Sequence, residues 1–108
     1  MEDVRVYGDV HGLSEQDFRD IELKLPFEKI VYKDKVLNVD YEGHYIDIED
    51  FLEELVKRLP PEGWAKVDFI DHVEWALTRY EINDNKLTER LVNVDAVLEP
   101  TKNEDGQR

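Results

Sequence analysis

The residues best suited to metal chemistry are an aspartate and a histidine near the N-terminus, in the stretch Gly8-Asp9-Val10-His11-Gly12. Carboxylate oxygens and imidazole nitrogens are common ligands of transition metals. Asp9, His11 and His44 are therefore the candidate ligands of a metal or small-ligand site. Further residues from which such a site could be built are His72, Asp47, Asp71 and Glu74, although no spacing among them is diagnostic.

The same stretch resembles the opening metal-binding motif of the calcineurin-like metallophosphoesterases, in which an Asp and a His after a strand bind a dinuclear metal centre. The resemblance implies Asp9 and His11 as metal ligands and a weak hydrolase activity. It covers residues 8–12 only, and the chain contains no second Gly-Asp motif and no Gly-Asn-His motif to supply the other ligands. The alternative interpretation is a loop between a strand and a helix, in which the glycines relieve backbone strain and Asp9 forms a local turn.

Other catalytic devices are missing from the sequence. Ser14 is the only serine, and we interpret it as a helix N-cap because no Gly-x-Ser-x-Gly elbow surrounds it. The 5 glycines match neither a P-loop nor a dinucleotide fingerprint. The absence of cysteine excludes disulfides, thiolate zinc sites and thiol nucleophiles. We therefore assign no catalytic residue and no cofactor, and we expect a protein that binds rather than catalyses.

An acid-rich stretch in the middle of the chain gives the strongest indication of function. Residues 40–54 contain no Lys or Arg and include a series of carboxylates: Asp40, Glu42, Asp47, Glu49, Asp50, Glu53 and Glu54. These residues predict one negative patch that attracts a basic protein partner by long-range electrostatics. The alternative is a solvated helix face that maintains solubility.

The overall charge of the chain argues against some classes of binding partner. The chain of 108 residues contains 27 acidic and 14 basic residues, and its net charge of −13 repels phosphate backbones and anionic lipid headgroups. We therefore expect no direct binding to nucleic acid or membranes. The acidic N-terminus is unlike the basic start of a signal peptide, so a cytoplasmic protein is expected. Edge strands near the C-terminus are compatible with either a monomer or a homodimer.

Two segments have the pattern of amphipathic helices. The second is the clearer one, because its apolar residues recur at helical spacing and form one stripe: Ile48, Phe51, Leu52, Leu55, Val56 and Leu59. Asp47 is expected to cap this helix and Pro60-Pro61 to end it. Ser14 is the expected N-cap of the first helix, which is predicted to end at Leu25-Pro26.

The order of the elements predicts the fold. Strand-like runs lie at residues 4–7, 29–32, 36–41, 64–69, 73–82 and 87–98, with turn formers at 83–86. We predict a single α+β domain over residues 1–99, with two helices packed on a mainly antiparallel sheet. Its predicted order is a ferredoxin-like split βαβ unit (βαββαβ) followed by a C-terminal β-hairpin. Residues 100–108 lack periodicity and are predicted to be a flexible tail.

The two helix starts look alike in sequence. When His11 is placed on His44, the residues around the first helix start align with those around the second, and Phe18 falls on Phe51. In a split βαβ sheet the two histidines would follow neighbouring strands, which predicts that they approach each other. The alternative is coincidence between two helices with the same capping chemistry. Five aromatic residues are interpreted as core, with an interface or ligand pocket as the alternative: Trp64, Trp75, Tyr41, Tyr45 and Tyr80.

Overall fold

The computed structural model describes residues 3–93, which form two helices and six strands. The strands are β1 (Val4–His11), β2 (Lys29–Lys33), β3 (Val36–Gly43), β4 (Trp64–Asp71), β5 (Ala76–Asn83) and β6 (Lys86–Asn93), and the helices are α1 (Glu15–Glu22) and α2 (Glu49–Arg58). The predicted α+β architecture of two helices and an antiparallel sheet is confirmed. In this part of the chain neither helix is long and apolar enough to cross a membrane.

The six strands form one sheet in the order β2-β3-β1-β4-β5-β6, and all neighbours are antiparallel. This order differs from the prediction, which ends a four-stranded unit at β4 and then adds a hairpin. β4 is instead an interior strand, because Trp64–Asp71 pair along their whole length with β5. The connection at residues 72–75 is short, so the chain reverses at once and β5 lies beside β4.

The connections on either side of β5 are tight turns. Asp71 Oδ1 accepts hydrogen bonds from the N–H groups of Val73 (2.9 Å) and Glu74 (3.0 Å). The predicted strand at 73–82 therefore starts only at Ala76. β5 continues into β6 through Asp84 and Asn85, whose positive φ angles (53° and 62°) are those of a tight two-residue turn. Residues 94–98 of the predicted last strand and the predicted tail at 100–108 lie outside the described residues.

The predicted side-chain cap is found at α1, whereas the N-cap residue of α2 is Ile48, which makes no side-chain cap hydrogen bond. Ser14 Oγ accepts a hydrogen bond from the Asp17 N–H (3.1 Å) and donates one to Asp17 Oδ2 (2.9 Å). Asp47, one position before the N-cap of α2, accepts a hydrogen bond from the Glu49 N–H through Oδ1 at 2.8 Å. α1 ends at Glu22, before the predicted Leu25, because the chain there tightens into turns with bonds between residues three apart.

The two helices pack on one face of the sheet. Alternation along β1 places Val4, Val6 and Val10 on this face, where they are buried, and Asp9 and His11 on the opposite face. The helices contribute Phe18, Ile21, Phe51, Leu52 and Leu55 to the same core, and the other strands contribute Leu37, Val39, Ala65, Val67 and Ile82. We call the opposite side of the sheet the open face.

The two tryptophans are not in this core, which corrects the sequence interpretation. Trp75 belongs to the 72–75 turn, has a φ of 53° and is 60% exposed. Trp64 starts β4 on the open face and is 41% exposed. The reason is local geometry: the Asp71 side chain holds the turn, and strand alternation sends Trp64 away from the helices while Ala65 points towards them.

Candidate functional site

The stretch of Gly8 to Gly12 is not the loop that its composition suggests. Gly8 to His11 belong to β1, so Asp9 and His11 lie on the open face. Asp9 Oδ1 accepts a hydrogen bond from Asn38 Nδ2 at 2.6 Å. The His11 ring stacks on the Trp64 ring, with centroids 4.0 Å apart and planes 9° from parallel. Both candidate ligands therefore already have partners on the neighbouring strands.

The structure does not bring His44 to Asp9 and His11. β1 and β3 are antiparallel, so the His11 end of β1 lies beside Val36, whereas Gly43, which precedes His44, lies beside Val4. At the rise of a strand, His11 and His44 are about 26 Å apart along the sheet. His44 Nδ1 instead lies 3.5 Å from Asp3 Oδ2. Within residues 3–93 no group of three or more His, Asp or Glu side chains converges on a point where a metal ion could bind.

The seven predicted patch residues are divided between two surfaces. Asp40 and Glu42 lie on the open face of β3, because Leu37 and Val39 of the same strand face the helices. Asp40 also accepts from Arg5 on β1, with Arg5 Nη2 3.3 Å from Asp40 Oδ2. The other five residues lie just before α2 or on it: Asp47, Glu49, Asp50, Glu53 and Glu54.

An ionic cluster joins the two helices and includes one α2 carboxylate, Glu54. Arg58, in the last turn of α2, donates to Glu54 (2.8 Å), Asp17 (3.0 Å) and Asp20 (3.1 Å). The hydrogen bond from Arg58 lowers the pKa of Glu54, which keeps this carboxylate ionised. Glu49, Asp50 and Glu53 are exposed and belong to no salt bridge among the residues described.

A groove of about 280 Å³ lies between the end of α1 and the outer side of α2. Its apolar lining includes Ile21, Leu25 and Phe51, and its acidic lining includes Asp50, Glu53 and Glu54. Lys24 also lines it. We call this the helix groove. It combines an apolar floor with carboxylates, which is the chemistry that accepts amphipathic basic segments.

A larger groove of about 510 Å³ lies on the other side of the α2 N-terminus, against β4, β5 and β6. Its apolar lining is mainly aromatic, with Tyr45, Phe69, Tyr80 and Leu91, and its carboxylates are Asp47, Glu49, Asp71 and Glu74. We call this the aromatic groove. The sequence analysis named Asp47, Asp71 and Glu74 as possible site residues, but it did not predict that they line one groove, because Asp71 and Glu74 are distant in sequence from the acid-rich stretch.

Burial and nearby negative charge both act on a phenol in this groove. Burial raises the pKa of Tyr80, and the charges of Glu89, Tyr45, Glu49 and Asp47 raise it further. Burial is the larger cause, and the negative neighbours add to it because they oppose the loss of the phenolic proton. The aromatic groove is thus a place where a cation is electrostatically favoured.

The charged groups described on the open face already form hydrogen bonds or salt bridges within the sheet. Asp68 is 3% exposed and accepts two hydrogen bonds from Arg79, at 2.8 Å and 3.1 Å. The hydrogen bond that Arg79 donates to Asp68 raises the pKa of Arg79, and burial together with the charge of Asp68 raises the pKa of Tyr7. Asp68, Asp40 and Asp9 therefore bind side chains of this same sheet, and the two grooves beside α2 are the stronger candidate sites.

The chain was compared with known proteins by sequence and by fold. No protein family model, no curated protein and no solved structure matches it. The assignment of function therefore depends on the two grooves and on the charges around them.

Proposed function

We propose that this protein is a small, non-catalytic binding or regulatory module that contacts a basic protein partner through the helix groove. The observation that carries the proposal is the division of α2 into two sides. Phe51, Leu52 and Leu55 are buried against the sheet, so Asp50 and Glu53 point outwards beside an apolar floor. An amphipathic basic helix matches both features, because its apolar side fits the floor and its cations meet the carboxylates.

The finer fold assignment supports the same proposal. We infer that β1 to β4 with the two helices form a ferredoxin-like split βαβ unit, to which β5 and β6 are added. The support is that β1 and β2 run in the same direction with β3 between them, and β3 and β4 do so with β1 between them. Such a unit holds the helices side by side on one face, and their junction is the helix groove.

A labelled amphipathic helix of Leu and Lys tests the proposed surface directly. Its affinity, measured by fluorescence anisotropy, is expected to fall between about 50 mM and 300 mM salt, because exposed charges are screened. The double variant Asp50→Lys/Glu53→Lys is expected to bind about tenfold or more weakly. The matched control is Glu28→Lys/Glu62→Lys, which changes the net charge equally at exposed positions outside the groove.

The two double variants separate a specific surface from the general acidity of the chain. If both variants lose the same affinity, the peptide responds to net charge alone and the proposed surface is wrong. A photoreactive residue at position 53, compared with one at position 62, extends the test to lysate. Capture of the same basic protein from both positions would also contradict the helix groove as the contact surface.

A further inference from the structure

The aromatic groove has a floor that an aliphatic chain can cover. Tyr45 and Phe69 meet edge to face, with ring centroids 5.6 Å apart and planes at 60°. Tyr80 lies on β5 and Leu91 on β6 in the same groove, and Leu91 is 71% exposed. Aromatic faces attract both methylene groups and ammonium groups, the latter through the ring quadrupole.

Carboxylates stand at two places around this floor. Asp47 and Glu49 come from the start of α2, and Asp71 and Glu74 come from the end of β4 and the turn that follows. Asp47 and Asp71 each use one oxygen to cap backbone N–H groups. Glu49 and Glu74 belong to no salt bridge within residues 3–93, and no Lys or Arg of these residues lines the groove.

The positions of the carboxylates on two different elements indicate which kind of cation the groove can bind. A metal ion needs three or more ligands converging on one point, and the described residues contain no such group. Two carboxylate pairs from different elements, which line one groove together with aromatic rings, instead match two positive charges joined by a methylene chain. A single ammonium group would meet only one of the two pairs.

We propose that the aromatic groove binds a linear aliphatic polyamine, with its methylene chain on Tyr45, Phe69 and Tyr80 and its ammonium groups at the two carboxylate pairs. Asp47 lines both grooves, but Asp50 and Glu53 line only the helix groove and Glu49 and Glu74 line only the aromatic groove, so the two sites can be tested separately. The protein would thus have a small-molecule site on one side of α2 and a protein-binding surface on the other.

Isothermal titration with spermidine tests the site, using the full chain. The variant Glu49→Gln/Glu74→Gln removes one carboxylate from each pair without removing a backbone cap, and about a tenfold loss of affinity is expected. Glu28→Gln/Glu62→Gln is the control of equal charge change at exposed positions, and it is expected to retain the affinity. No heat at about 1 mM spermidine, or an equal loss in both variants, would overturn the proposal.

Two further measurements test the roles of the ligand's methylene chain and of the aromatic rings. 1,5-Diaminopentane is expected to bind at least about tenfold more tightly than n-pentylamine, because only the diamine has an ammonium group for each carboxylate pair. Tyr45→Ser is expected to weaken spermidine binding several-fold while leaving binding of the Leu and Lys peptide unchanged. Equal affinities for the two amines, or full spermidine affinity in Tyr45→Ser, would contradict a polyamine lying on the aromatic floor.

Discussion

The region under the helices and the aromatic groove both contain apolar side chains and carboxylates, but the two regions differ in burial and in ion pairing. On the helix face of the sheet, Val6, Val10 and Leu37 are fully buried, whereas Leu91 on β6 is 71% exposed. The carboxylates differ in the same way: Arg58 binds carboxylates of both helices, but Glu49 and Glu74 have no such cation in the described chain. The groups under the helices are therefore buried or paired within the fold. Those of the aromatic groove remain accessible to a ligand.

The largest test of this comparison replaces one leucine in each region. Leu55 of α2 is completely buried, so Leu55→Ala is expected to lower the free energy of unfolding by about 2–5 kcal/mol. Leu91→Ala is expected to change it by less than about 0.5 kcal/mol, because the side chain is already in water. Urea denaturation measures both. A similar loss for Leu91→Ala would show that β6 is covered in solution and would remove the contrast.

A glycine pair probes how closely the covered strands approach. A Cβ at Gly8 would lie 2.7 Å from the Lys66 carbonyl oxygen, a backbone atom that cannot move aside. Gly8→Ala is expected to cost about 1–3 kcal/mol in the free energy of unfolding through overpacking.

The control for this effect is Gly43→Ala. Its Cβ would meet the Tyr41 hydroxyl at 2.8 Å, a side-chain atom that can shift at the expense of its hydrogen bond to the His44 carbonyl oxygen. The melting temperature of Gly43→Ala is expected to fall less than that of Gly8→Ala. Equal losses for the two variants would mean that loss of glycine itself, rather than the strand contact, determines the effect.

Two salt bridges on the open face give the next smaller effect. Asp68→Ala leaves Arg79 without its two hydrogen bonds and is expected to cost about 1–2 kcal/mol in the free energy of unfolding. Asp40→Ala removes an exposed pair with Arg5 and is expected to cost about 0–1 kcal/mol. Denaturation in low and high salt separates them, since only the exposed pair is screened appreciably. Equal losses would contradict the burial of Asp68.

The sequence predicts those features that depend on neighbours within a few turns of chain. Ser14 caps α1, and the stripe of Phe51, Leu52 and Leu55 is buried, because spacing along one helix determines both. The features that depend on strand order are not predictable in this way. The antiparallel pairing of β1 with β3 separates His11 from His44, and it brings Arg5 to Asp40, which removes that carboxylate from the predicted patch.

The aromatic groove also depends on strand order and could not be predicted from local sequence. Glu49 and Glu74 line one groove only because the chain returns beside the start of α2 at the end of β4. Nothing within either local segment indicates that contact. Charge density predicted that α2 is acidic, but the sheet decides which apolar surface its carboxylates adjoin.

The smallest expected effect concerns the titration of Tyr80. Its pKa is raised by burial and by Glu89, Tyr45, Glu49 and Asp47, so the folded protein keeps this proton to higher pH than the unfolded chain does. The corresponding stability is present below about pH 10 and is lost as the pH rises through the folded pKa. Tyr80→Phe is therefore expected to lessen the fall of the free energy of unfolding between about pH 9 and 11.

The same titration reports the field in the aromatic groove. In protein labelled with ¹³C at tyrosine Cζ, Glu89→Gln is expected to lower the Tyr80 midpoint, and Glu49→Gln to lower it by less, following the order of their charge effects. Glu62→Gln, outside the groove, is expected to leave the midpoint unchanged. A midpoint that responds to neither carboxylate would mean that burial alone acts on Tyr80, and the aromatic groove would lose its distinction from the region under the helices.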